Sequence, residues 1–325
     1  MGRHFHLIAE SDLNSPKVVR PPEVGGFGFR AQWLDDFHHA LYVLIDKEGK
    51  DRYEDFGSLE QLAKAYSDGF VHSGEFVKFR KRKHVLSSAG VPGDKIVAFN
   101  QNHDQIGNRV LGERLCELVD LESLKLAAAA LFLSPYVPML FMGEEYADTS
   151  HFFYFVSHSD KDLIKAVREG RKEEFKNFEW KVDPPDPQDE ATFNRSKLQW
   201  DLRESGKHRM MLQWHRKLIE LRKSLPALKN YDKNDVRVNI PSPGLLMLHR
   251  KAEDQQLLCL FNFSETPVEY IFPTMVHKYK KILDSSATPW TEKIHEASIA
   301  HPEEVVAGKK VLLNPLSVIV YESLM

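Results

Sequence analysis

Three stretches of this sequence hold side chains that could do chemistry together. FNQNHDQIGNR (99–109) sets Asn100, Gln101, Asn102, His103, Asp104, Gln105, Asn108 and Arg109 almost side by side. One or two such residues make a turn. This many form a surface for a ligand rich in hydroxyl groups. AQWLDDFHHA (31–40) offers Gln32, Trp33, Asp35, Asp36, His38 and His39. Its plainer explanation is a capped helix carrying two surface histidines. Adjacent helix positions point apart, which argues against a metal shared by His38 and His39. Trp33, at a strand end, could stack on a sugar face. HLIAESDLN (6–14) brings Glu10 to the end of an apolar run. Carboxylates at separate strand ends suit glycoside chemistry. One carboxylic acid protonates the leaving oxygen, and in retaining enzymes a second, roughly 5–5.5 Å away, attacks the sugar carbon. Glu10 fits the acid, because apolar neighbours such as Leu7 and Ile8 favour a protonated carboxyl. Asp104 could stabilise the positive charge that builds on the sugar. GGFGF (25–29) lacks the Lys and the spacing of a phosphate loop and reads as a tight turn.

These groups need elements to position them. HLIAES (6–11), FGFRAQW (27–33), KIVAFNQNHD (95–104) and PMLFMGEEY (138–146) each run apolar and then turn polar. Continuous apolar runs, rather than alternation, predict strands buried on both faces, as in a parallel sheet. Between them, DDFHHALYVLI (35–45) has helical spacing, SLEQLAKAYSDGF (58–70) opens on a Ser cap, and LESLKLAAAALFLS (121–134) reads as a buried helix. Strands alternating with helices, with polar clusters at strand C-termini, are what a (β/α) barrel places around its active-site rim.

Further along, 162–178 reads as a charged surface helix and 180–200 as a long Pro/Asp-rich loop. Residues 207–225 form an amphipathic helix whose Met211, Trp214, Leu218 and Leu221 face a core. After Pro226 the pattern changes to strands at 236–240, 245–250, 256–263, 268–272, 309–313 and 317–322. The expected fold is α/β: a (β/α) barrel region over 1–226, then an antiparallel β-sandwich domain over 227–325.

Totals narrow the functional class. The chain has 325 residues, enough for two domains. Its 44 basic and 47 acidic residues leave a net charge of −3, which gives no electrostatic case for nucleic acid or an acidic membrane. No 18-residue apolar run or signal-peptide pattern is present. The two cysteines, Cys116 and Cys259, lie apart in apolar surroundings and show neither CxxC nor metal-ligand spacing. A reducing, cytoplasmic setting fits.

Taken together, HLIAESDLN, AQWLDDFHHAL, QNHDQIGNR, GER, PMLFMGEEY and PDPQDEATFNRSKLQW resemble successive segments of the alpha-amylase superfamily of glycoside hydrolases. Within it they resemble the maltooligosyltrehalose trehalohydrolases. The resemblance covers essentially the whole chain and is firmest over residues 4–222. It implies that Glu10 is the general acid/base and Asp104 the transition-state stabiliser, with His103 binding the reacting sugar. Asp36, Phe37, His38, His39, Ala40, Gln105, Ile106, Gly107 and Asn108 would line the substrate cleft, and Gln32, Trp33 and Asp35 join them as substrate-binding candidates by their residue types. The implied substrate is maltooligosyl trehalose, cut at the α-1,4 bond beside its terminal trehalose; no cofactor and no metal is implied. The superfamily's nucleophilic aspartate, on the fourth barrel strand, has no counterpart here. By the resemblance, the four strand runs are barrel strands five to eight, the C-terminal half of a (β/α)8 TIM barrel. The isolated chain is then expected to be inactive, with a missing N-terminal half supplied as a separate chain or lost by truncation. Glu144 and Glu145 are not used as nucleophiles in the superfamily. Alternatives are a noncatalytic α-glucan-binding module, or a fragment of a glycogen-branching or debranching enzyme.

Overall fold

Residues 5–46, 53–84, 86–175, 183–274, 276–290 and 299–324 are described by a computed structural model. The apolar runs become a parallel sheet. Its strands are β1 (Ile8–Ala9), β2 (Ala31–Trp33), β3 (Ile96–Phe99) and β4 (Val137–Met139), in that spatial order. Ala9 pairs with Gln32, Trp33 with Val97, and Phe99 with Met139. The later chain supplies β5 (Val236–Ser242), β6 (Leu245–Ala252), β7 (Gln255–Asn262), β8 (Val268–Ile271), β9 (Lys278–Asp284), β10 (Glu304–Val306), β11 (Lys310–Leu313) and β12 (Ser317–Leu324). Six of these form an antiparallel sheet in the order β10-β9-β12-β7-β6-β5, and β8 pairs with β11. The main helices are α1 (Asp35–Ile45), α2 (Leu59–Ser67), α3 (His103–Gly107), α4 (Leu121–Leu133), α5 (Lys161–Phe175), α6 (Glu190–Arg195) and α7 (Gly206–Ser224).

Contacts divide the chain into two units. Unit one comprises Met1–Asn100, Glu122–Met139 and Gln213–Met325; unit two comprises Gln101–Leu121 and Leu140–Leu212. Unit one therefore holds both sheets. Leu260, Ile319 and Tyr321 of the six-stranded sheet share one apolar cluster with Tyr270, Val311 and Leu313 of the β8–β11 pair. Helix α4 is apolar on nearly every face after its first turn, and it is buried from Ser123 to Leu133. Its last carbonyls have no helical partner. Buried arginines take that role: Arg222 donates to the carbonyls of Phe132 (2.7 Å) and Ser134 (2.8 Å), and Arg250 to that of Leu133 (2.7 Å). Trp214, Leu218 and Leu221 of α7 are buried as their spacing predicts.

Several expectations are corrected. β1 is only two residues long and lies at the sheet edge, with Leu7 and Ile8 64% and 49% exposed. The opening run is therefore not a strand buried on both faces but an edge strand, with β2 its sole sheet neighbour among the described residues. β4 ends at Met139, so Leu140, Phe141 and Met142 lie beyond the strand. There the Phe141 N–H is taken by Glu144 Oε2 at 3.1 Å instead of a sheet partner, and Gly143 turns the chain at φ +84°. The Pro/Asp-rich stretch contains α6, begun by Asp189, whose carboxylate accepts the Ala191 N–H at 2.9 Å. β9 and β10 were not apparent in the sequence, since the lysines of KYKKILD conceal its buried Tyr279 and Leu283.

Candidate active site

Parallel strands all point one way. The residues that follow β1, β2 and β3 therefore share one edge of the sheet: Glu10, Asp35 beyond Leu34, and Asn100. Glu10 is exposed there. Leu7 and Ile8, the apolar neighbours that the sequence offers its carboxyl, are exposed too. Trp33 is half-buried and meets Phe99 edge-on, ring centroids 5.4 Å apart. Gln32 is buried in β2, its Nε2 3.4 Å from the Ser15 carbonyl.

Asp35 and Asp36 open α1, where the helix dipole favours negative charge. Asp36 is buried, and its Oδ2 accepts from Asn14 Nδ2 (3.0 Å) and from the Val71 N–H (2.7 Å). It thus fastens three separate segments of unit one. His38 is not a surface histidine. It is buried, and its Nδ1 donates to the Asn100 carbonyl at 2.5 Å, tying α1 to the end of β3. His39 is half-buried, with its ring 4.3 Å from that of Tyr53. Phe37 and Ala40 are fully buried, and Phe37 packs edge-on against Tyr66 and Tyr136. The side chains of these two pack into the core of unit one. GGFGF turns as expected, with Gly25 at φ +78° and Gly28 at φ +73°.

In unit two the polar run after β3 divides by depth. Gln101 and Asn102 are buried and shape the turn. Gln101 Oε1 accepts the Leu115 N–H (2.8 Å), and Asn102 Oδ1 caps α3 by accepting the Gln105 N–H (2.7 Å). That cap presents His103 and Asp104, both exposed, on the first turn of α3. Ile106 and Gly107 are buried, while Gln105 and Asn108 are half-buried. Asn108 Nδ2 donates to Asp104 Oδ1 at 2.5 Å. The run is therefore both a built turn and a display of exposed polar groups.

The loop after β4 is braced within unit two. Arg114 is buried and donates to the carbonyls of Ser150 (2.5 Å) and Met142 (2.7 Å). Burial holds its guanidinium below the ordinary pKa, partly offset by nearby Asp148. Asp148 is itself buried, which alone would raise its pKa. Hydrogen bonds from Ser150, Tyr146 and Gln199 outweigh that and lower it. Glu144 is buried in the same loop, accepting from Phe141. Arg114 lies in the GER motif, yet nothing in that motif's spacing indicates its partners.

The two groups of predicted residues thus fall in different units: Glu10 and 32–40 in unit one, 103–108 in unit two. No family model matches the chain. A malto-oligosyltrehalose trehalohydrolase from Rhizobium sp. (strain M-11) is 43% identical over 272 residues, covering 82% of this chain and 45% of that protein. Another from Saccharolobus solfataricus is 46% identical over 217 residues, 67% of this chain and 37% of that protein. A candidate alpha amylase of solved structure from Salmonella typhimurium has a TM-score of 0.79 at 32% identity, over 98% of this chain and 51% of that one. An Anoxybacillus alpha-amylase, 17% identical with a TM-score of 0.56, shares the fold alone. The chain spans under half the length of the two curated relatives. Within that span, it belongs to the malto-oligosyltrehalose trehalohydrolase family.

Proposed function

We propose that this chain carries the acid/base and charge-stabilising part of a retaining α-glycosidase site. Its substrate is maltooligosyl trehalose, cut at the α-1,4 bond next to the terminal trehalose. Glu10 protonates the leaving oxygen and Asp104 stabilises the oxocarbenium-like charge. The attacking carboxylate comes from outside these 325 residues. In this reading β1 to β4 are strands five to eight of a (β/α)8 barrel within residues 1–226, and residues 227–325 are an appended β-sandwich. The observation that carries the reading is the parallel sheet with Glu10, Asp35 and Asn100 at one edge, in a chain 43% identical to a trehalohydrolase.

Product analysis tests this directly. The chain alone, with maltooligosyl trehalose, is expected to release no trehalose. Adding the complementary nucleophile-bearing part of a family member is expected to restore release, and Glu10→Gln to abolish it again. Trehalose released by the chain alone overturns the external nucleophile. One observation favours a second reading, a noncatalytic α-glucan-binding module: Glu10 is exposed, whereas a general acid gains from an apolar surround. Calorimetry with maltooligosaccharides separates the two. Binding unchanged by Glu10→Gln, with no turnover in the complemented protein, supports the module.

A further inference from the structure

Helix α5 reads in sequence as a solvated, charged surface, and most of it is exposed. Arg171 departs from that pattern, with a side chain only 11% exposed. One prong of its guanidinium, Nη1, donates to Asn108 Oδ1 at 3.2 Å and to Glu174 Oε2 at 2.8 Å. The other prong, Nη2, donates to the Gly107 carbonyl at 2.9 Å, at the end of α3. The guanidinium also lies 4.7 Å from the centre of the Tyr154 ring. All of these residues belong to unit two.

Asn108 is the middle of a relay. Its amide oxygen accepts from Arg171, while its amide nitrogen donates to Asp104 Oδ1 at 2.5 Å. Its backbone N–H also donates to the Asp104 carbonyl at 3.1 Å. A side-chain amide has one accepting end and one donating end. A fixed donor on the oxygen removes the flipped state, in which oxygen would face carboxylate. The planar fork of arginine can hold the amide oxygen and the helix-end carbonyl at once. A lysine ammonium of the same charge is a point donor on a flexible stem and does not reproduce that geometry.

We propose that Arg171 is a positioning residue for Asp104: through the Asn108 amide and the end of α3 it sets where the Asp104 carboxylate points. The catalytic consequence rests on the reading of Asp104 as the group that meets positive charge on the sugar. The relay itself does not.

Two readouts on the full 325-residue chain test it, with Arg171→Lys as the main variant because it keeps the charge. The first needs no sugar. Hydrogen exchange of the Asn108 side-chain NH2, followed by NMR, is expected to quicken about tenfold in Arg171→Lys at unchanged melting temperature, the fork being lost. Equal exchange in both proteins overturns the proposal. The second compares affinity for a maltooligosaccharide ending in a protonated amino sugar with that for its neutral parent. Arg171→Lys is expected to lower the cation-to-neutral ratio roughly fivefold while neutral binding stays the same. Asn108→Ala should lower the ratio as well, and the double variant no further, since both act through one relay. A parallel fall of both affinities with a lowered melting temperature makes Arg171 merely structural and overturns the proposal. If the wild-type chain binds neither sugar, the glycosidase reading fails, and the exchange readout still decides the relay.

Discussion

Asp148 accepts from the Tyr146 hydroxyl (2.8 Å), the Ser150 N–H (2.6 Å), the Gln199 N–H (2.7 Å) and the Ser150 hydroxyl. These bonds stabilise the charged form, so its folded pKa lies below the unfolded value although burial acts the other way. Its contribution to stability is therefore complete above the ordinary carboxylate range, about pH 4, and is lost as pH falls through the lowered folded value. Asp148→Asn is expected to cost about 2–4 kcal/mol at pH 7, because it leaves buried donors facing an amide. The variant should also show a shallower loss of stability on the acid side. Urea midpoints of both proteins from pH 7 to pH 3 check this; parallel acid limbs would contradict it. In the sequence Asp148 sits in YADTS, where nothing marks it as a hub. Asp104 and His103 were legible because many polar residues crowd beside them. Arg171 was not, because Asn108 and Gly107, the partners that tie it to α3, lie more than sixty positions away.

Among the elements, β1 and β3 form a natural contrast. Ile96 of β3 is fully buried between neighbours on both sides, whereas Ile8 of β1 is 49% exposed at the sheet edge. Ile96→Ala is expected to cost about 2–4 kcal/mol, the usual range for opening a cavity in a packed core. Ile8→Ala should cost under about 1 kcal/mol, since half of the side chain already meets water. Chemical denaturation of the two variants checks the order, and equal costs would show that β1 is packed like a core strand. Helix periodicity placed α1, α4 and α7 closely, because each has a long apolar stripe or surface. Short strands fared worse. PMLFMGEEY shows an apolar run but not where pairing stops, which depends on Val97 meeting Val137 and on Glu144 capturing the Phe141 N–H.

At the scale of the molecule, the two thiols sample one unit each: Cys259 in unit one and Cys116 in unit two. Both are buried, and burial pushes each thiol pKa up to about 12. The folded protein is therefore expected to be silent to a thiol-reactive aromatic disulfide at pH 8, and to titrate both thiols once unfolded. Prompt reaction of either in the native state would mean that its unit opens readily. Among the described residues no helix is long and apolar enough to cross a membrane. By itself the sequence determined the strand–helix alternation, the buried character of α4, the β-rich final hundred residues and the polar run that presents His103 and Asp104. These are properties of neighbours within a few turns, and hydrophobic period and turn chemistry report on neighbours. Only the tertiary structure decided which charged groups are interior: Asp36 joining Asn14 to Val71, Arg222 and Arg250 completing the end of α4, and Arg171 reaching Asn108. A buried charge persists only where distant chain segments supply its hydrogen bonds, and local spacing does not record which segments will meet.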